Sequence, residues 1–135
     1  YSTVAPPSRL RIPAIGLTTP PLEQLGRKAA DGTIAVTYYD FRFNTPAAGV
    51  PTDHWMVHCH PTATSCAQAA AWGNELRLTD TSFDVEQLPF ARGPFGYFVG
   101  EYEGLANAGS TFRPLFAVGT GDPANRTDIV TATAS

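Results

Sequence analysis

The residues best able to do chemistry in this 135-residue chain stand in four short groups. Asp40 and Arg42 lie two apart, so on a strand both side chains leave the same face. A carboxylate beside a guanidinium there either orients the arginine toward an anionic ligand or seals a sheet edge. Glu101-Tyr102-Glu103 sets a phenol between two carboxylates, with 101 and 103 on one strand face and 102 on the other. His54, His58 and His60 share a face, and His58-x-His60 is a spacing that transition metals accept. A zinc site needs three or four ligands with a fixed second shell. The expectation is therefore no metal and no cofactor, with the histidines on a partly exposed edge strand. Cys59 and Cys66 are the only cysteines. Either they close a short loop as a disulfide, worth about 2–3 kcal/mol in the chain-entropy account, or they remain two small thiols.

Groups at such spacings need strands to hold them, and the clearest strand starts at the Asp31-Gly32 turn and runs Thr33-Ile34-Ala35-Val36-Thr37-Tyr38-Tyr39-Asp40-Phe41-Arg42. Ile34, Val36 and Tyr38 point one way and Ala35, Tyr39 and Phe41 the other. A strand apolar on both faces must be covered on both, so it belongs within stacked sheets. Charged Asp40 and Arg42 come only at its end, where it would emerge. Composition agrees. Charged residues are 16% of the chain, and Gly and Pro number 12 each, as suits turn-rich β-structure. A net charge of −3 disfavours nucleic acid and anionic membranes as partners. No apolar run approaches the roughly 20 residues that cross a bilayer.

Along the chain, Tyr1–Ser8 reads as an extended leader barred from helix by Pro6-Pro7, and Leu22–Ala30 as a short helix or irregular loop. Strands are expected over Thr33–Phe43, His54–His60, Glu75–Thr79, Gly96–Tyr102, Thr111–Val118 and Asp128–Thr133. A weak repeat relates Ala30-Asp31-Gly32-Thr33 to Ala108-Gly109-Ser110-Thr111, and Thr52-Asp53 to Thr127-Asp128. Stacked small sheets with polar strand ends describe propeller blades. The expected fold is all-β: an irregular N-terminal arm over 1–28, then a partial β-propeller of about two four-stranded antiparallel blades over 29–135. Rings need typically 4–8 blades, so this reads as part of a larger propeller. With no initiator Met at Tyr1, it reads as a processed product or an excised piece. Open blade edges favour self-association.

Ser65-Cys66-Ala67-Gln68-Ala69-Ala70-Ala71-Trp72 has the length and ends of an Asp-box, Ser-x-Asp-x-Gly-x-Thr-Trp, with alanines at the Asp, Gly and Thr positions. It falls between the expected third and fourth strands of a blade. Together with Val-Thr-Tyr-Tyr-Asp-Phe-Arg (36–42), Thr-Asp-His-Trp (52–55), Glu-Leu-Arg-Leu-Thr (75–79) and Gly-Tyr-Phe-Val-Gly-Glu-Tyr-Glu-Gly-Leu-Ala (96–106), it resembles the C-terminal blades of secreted bacterial sialidase-like proteins. The resemblance implies an extracellular, glycan-directed propeller. In that family arginines clamp the substrate carboxylate, a glutamate-activated tyrosine attacks the anomeric carbon, and an aspartate serves as acid and base. It therefore assigns Tyr102, Glu101 and Asp40 to catalysis, and Arg42 and Tyr39 to substrate contact. No complete set converges within this segment, so no turnover is expected from it alone.

Two other function classes stand beside that one. The chain suits a non-catalytic propeller module that binds a glycan or a protein. Arg9–Leu17 with Leu25-Gly26 and Asp31-Gly32-Thr33 also resembles the opening of actinobacterial sortases, which implies a cysteine transpeptidase. That chemistry needs His, Cys and Arg together. Cys59 is flanked by His58 and His60, which face away from it on a strand, and the sortase Thr-Cys strand end is missing.

Overall fold

Six of the seven residues of strand β2 (Ile34–Asp40) are buried, on both faces alike. It lies inside an antiparallel sheet, between β1 (Gln24–Lys28) and β3 (Pro51–Cys59), with β4 (Trp72–Arg77) beyond β3. The short strand β5 (Phe83–Asp84) pairs with the start of β3. The computed structural model describes residues 24–60, 65–91, 96–99 and 103–134. Among these no α-helix occurs; Ala69–Ala71 and Val85–Gln87 form single 3-10 turns. A two-stranded ribbon joins β6 (Phe90–Ala91) to β7 (Gly96–Tyr97). A second antiparallel sheet runs in the order β10 (Asn125–Thr131), β9 (Thr111–Asp122), β8 (Gly104–Ala108).

Local chemistry makes the hairpins. Between β1 and β2 the Asp31 carboxylate accepts the Thr33 amide at 2.9 Å while Gly32 takes φ +92°. The Gly109-Ser110 turn between β8 and β9 has Gly109 at φ +63°, the left-handed corner that matches the twist of paired strands.

The two sheets pack face to face. Ala35 and Met56 of the first sheet cluster with Leu105, Phe112 and Ala134 of the second. Farther along, Tyr39 clusters with Phe83, Val85, Leu88 and Phe116. The Tyr39 hydroxyl donates to the Ala117 carbonyl at 2.7 Å and accepts from the Ala117 amide at 3.0 Å. Those two backbone groups of β9 lie beyond its β8 pairing, which ends at Leu115. The phenol takes the place of a neighbouring strand. On its other face the first sheet buries Val36, Tyr38, Trp55, Val57, Cys59 and Trp72.

The chain is thus antiparallel and all-β, as its composition and alternation require. Several expectations change. Gln24–Lys28 is a strand rather than a helix or loop, because β2 offers it a paired edge; the sheet therefore begins before residue 29. Strand β3 lies inside its sheet rather than at an edge, flanked by β2 and β4. The expected strand Gly96–Tyr102 is a strand only over Gly96–Tyr97, and 100–102 lie outside the described residues. Strand β8 had no counterpart in the expectation. The first sheet has five strands, β1 to β4 as a meander of sequential neighbours with β5 added on β3, and the second is a meander of three. Among the described residues neither closes on itself.

Candidate functional site

At the end of the first sheet, three strands bring polar side chains onto one face. Asp40 of β2 pairs in register with Asp53 of β3, Tyr38 with Trp55, and Trp55 with Arg77 of β4. Residues opposite one another share a face, so the i, i+2 pairs Tyr38/Asp40, Asp53/Trp55 and Glu75/Arg77 converge.

Arg42, just past β2, organises one half. Its Nε donates to Asp40 Oδ2 at 2.6 Å. Its Nη1 and Nη2 fork onto both oxygens of Glu75 at 2.6 and 2.9 Å. The Tyr38 hydroxyl also donates to Glu75 and accepts from Arg42 Nη2 at 3.3 Å. The guanidinium carbon lies 3.7 Å from the centroid of the Trp55 ring. The electrostatics follow. Hydrogen bonds from Arg42 hold the Glu75 carboxyl below its usual range, and the same bonds raise the Arg42 pKa. Burial, then the neighbouring Glu75, raises that of the Tyr38 phenol. A forked arginine–carboxylate contact is among the stronger polar contacts available.

Arg77 organises the other half around Asp53, whose side chain is 1% exposed. Arg77 Nε donates to Asp53 Oδ1 at 2.8 Å, the Thr79 hydroxyl donates to the same oxygen at 2.7 Å, and Ser82 donates to Oδ2 at 2.8 Å. Phe43 lies between the halves. Its ring is 6.1 Å from that of Trp55, with the Arg77 guanidinium 5.6 Å from its centroid. Trp55 Nε1 is buried and has no hydrogen-bond partner among the described residues. The face thus presents two guanidiniums, three carboxylates and the aromatic rings of Tyr38, Phe43 and Trp55. Arg42, Glu75 and Arg77 reach solvent with side-chain exposures of 26, 36 and 32%.

Of the residues singled out in the sequence, the structure brings Asp40 and Arg42 together here. An anion could take the Arg42 fork only by displacing Glu75. Tyr39 is not on this face. As its place in the alternation requires, it points into the seam between the sheets, 1% exposed. Glu101 and Tyr102 lie outside the described residues. Glu103 is described: its carboxylate stands 4.0 Å from Nδ1 of buried His54, with 9% side-chain exposure. The sequence reading did not single out Glu75, Arg77, Asp53, Phe43 and Trp55 as one site. Their signal was alternation at three strand ends, but joining the three required the register.

A second feature closes the far end of the same face. Cys59 and Cys66 form a disulfide with their Cα atoms 5.8 Å apart. Neither sulfur is then a free thiolate nucleophile. The loop between β3 and β4 folds onto the bridge: Ser65 Oγ accepts from Ala67 N at 3.2 Å, and the Trp72 indole donates to the Cys66 carbonyl at 2.9 Å. Trp72 is 7% exposed. The histidines hold no metal cluster: among the described residues no group of three His, Cys, Asp or Glu is placed to bind an ion. No protein-family model, curated protein or solved structure matches this chain.

Proposed function

We propose that this chain is the C-terminal segment of a secreted, sialidase-like β-propeller protein that addresses glycans and is not catalytic by itself. The observation that carries this reading is the face built from Arg42, Glu75, Arg77, Phe43 and Trp55. A sugar offers an apolar C–H face and a ring of hydroxyls. Aromatic rings suit the first, and carboxylate and guanidinium forks suit the second. Sequential antiparallel meanders are the strand order of blades. The Ser65–Trp72 segment, which leads into β4 and is folded back through the Trp72 indole onto the Cys66 carbonyl, supports reading it as a degenerate Asp-box turn. A disulfide suits an oxidising, extracellular setting. In that role Arg42 and Tyr38 shape the ligand face, while catalysis by Asp40, Glu101 and Tyr102 requires the longer parent.

The test is NMR titration of the chain with sialyllactose and lactose. Saturable shifts of the Arg42 and Arg77 Nε–H and Trp55 Nε1–H signals are expected, weakened about tenfold in Phe43→Ala, a loss near 1.4 kcal/mol. Absence of any saturable shift with either sugar overturns the glycan reading. An arylated sialoside should not be hydrolysed. Turnover abolished by Tyr102→Phe or Arg42→Ala would instead show a complete catalytic site within this chain.

A further inference from the structure

We propose that the seam between the two sheets is an acid-operated latch: protonation of His54 and His58 parts the β8–β10 sheet from the sheet that contains β3. The two histidines stand four apart on one face of β3, and each stacks on a phenylalanine of β9. His54 lies 4.3 Å from Phe116 at an interplanar angle of 19°, and His58 lies 5.3 Å from Phe112 at 38°. Phe112 and Phe116 are likewise four apart, so two matched pairs bracket the seam. The Tyr39 ring closes the other side of His54 at 4.3 Å. Exposure is 0% for His54 and 2% for His58. Among the described residues, neither ring nitrogen of His54, nor Nε2 of His58, has a hydrogen-bond partner.

Among the described residues, the groups around these rings are these. His54 meets the Tyr39 phenol, engaged with Ala117, and the Glu103 carboxylate at 4.0 Å from Nδ1. His58 meets a backbone hydrogen bond to Asn74 and the ring of His60 at 6.1 Å, which itself lies near Asp31. Burial lowers the His54 pKa to about 3 and shifts that of His58 in the same direction. An exposed imidazole takes its proton near about 6.5. Between those values the open chain binds protons that the closed seam refuses, so closure weakens as pH falls. Each fully refused proton costs about tenfold in the closed-to-open ratio per pH unit. Glu103 offsets part of this by favouring charged His54. The carboxylates of Glu75, Asp84 and Asp31 are held low by their partners and act only in a more acidic range than the histidines.

The test measures urea stability and amide exchange, corrected for intrinsic rates, on the full chain between pH 8 and 5. The closed-to-open ratio should hold down to about pH 6.5 and then fall by about tenfold per unit for each histidine. Amides of β9 should open before those of β2 and β3. His54→Phe with His58→Phe should flatten the pH dependence. Should that variant fail to fold, His58→Gln should remove its share, and ring NMR should show His54 still neutral in the folded chain at pH 5. A flat profile in the natural chain, an unchanged slope in the variants, or simultaneous exchange of both sheets overturns the latch.

Discussion

Tyr39 shows how little of a residue's role follows from its neighbours in sequence. Its chain neighbour Asp40 faces the solvent-side cluster with Arg42, whereas Tyr39 spans the seam and satisfies both the amide and the carbonyl of Ala117. Tyr39→Phe keeps the ring and leaves those buried backbone groups unpaired. It should lower stability by about 1–3 kcal/mol in urea unfolding, and no measurable loss would show that water replaces the hydroxyl. Trp72 combines burial with the hydrogen bond to Cys66. Trp72→Ala should cost about 3–5 kcal/mol, as large aromatic truncations in cores do. A loss below about 1 kcal/mol would mean that the 65–72 loop holds without its indole. Arg42 has a pH signature. Its fork holds the Glu75 pKa down, so this pair stabilises the fold above the ordinary glutamate range near pH 4.3 and stops doing so as pH falls below it. Glu75→Gln should remove that acid-side component while leaving the Asp53–Arg77 half intact.

At the scale of elements, two close approaches set where strands and loops can sit. A Cβ on Gly119 of β9 would lie 2.9 Å from Phe83 Cδ2 and 3.2 Å from Leu88 Cδ2. Gly119→Ala should therefore push β5 and its following turn off the second sheet, costing about 1–3 kcal/mol by calorimetry. Gly49 combines φ +88° with an approach in which its Cβ would meet Asp84 Oδ2 at 2.8 Å. Asp84 earns that proximity by accepting the Val50 amide at 2.9 Å and the Glu86 amide at 3.0 Å, which ties the β2–β3 loop to the Val85–Gln87 turn. The disulfide acts on the β3–β4 connection in the same way. Replacing both Cys59 and Cys66 by Ser should cost about 2–3 kcal/mol, with the change confined to the loop and β4 in amide-exchange maps.

Over the whole molecule, apolar surface is not fully enclosed. Phe90 and Ile129 are each 61% exposed, and Leu115 on the outer face of the second sheet is 46% exposed. Strand β10 pairs only with β9 among the described residues. Exposed edges and apolar patches together favour association. Sedimentation should show a concentration-dependent dimer or larger species, reduced by Ile129→Lys. A monomer at all concentrations would count against an open propeller segment. The sheet-on-sheet arrangement also explains why β1 and β8 escaped notice in the sequence. Gln24–Lys28 and Gly104–Ala108 have little alternation of their own and become strands because β2 and β9 supply partners.

Alternation along 31–42 was enough to establish a strand buried on both faces with Asp40 and Arg42 at its polar end, because side-chain direction in a strand depends only on local backbone geometry. The glycines and Asp31 marked the turns for the same reason. Tertiary structure decided the rest. Which carboxylate meets Arg42, that Arg77 closes on Asp53, and that His54 and His58 face phenylalanines rather than solvent all depend on strand register and on which sheet covers which. Those choices minimise exposed apolar area over the entire chain. They are made between residues far apart in sequence, so no short stretch of residues encodes them.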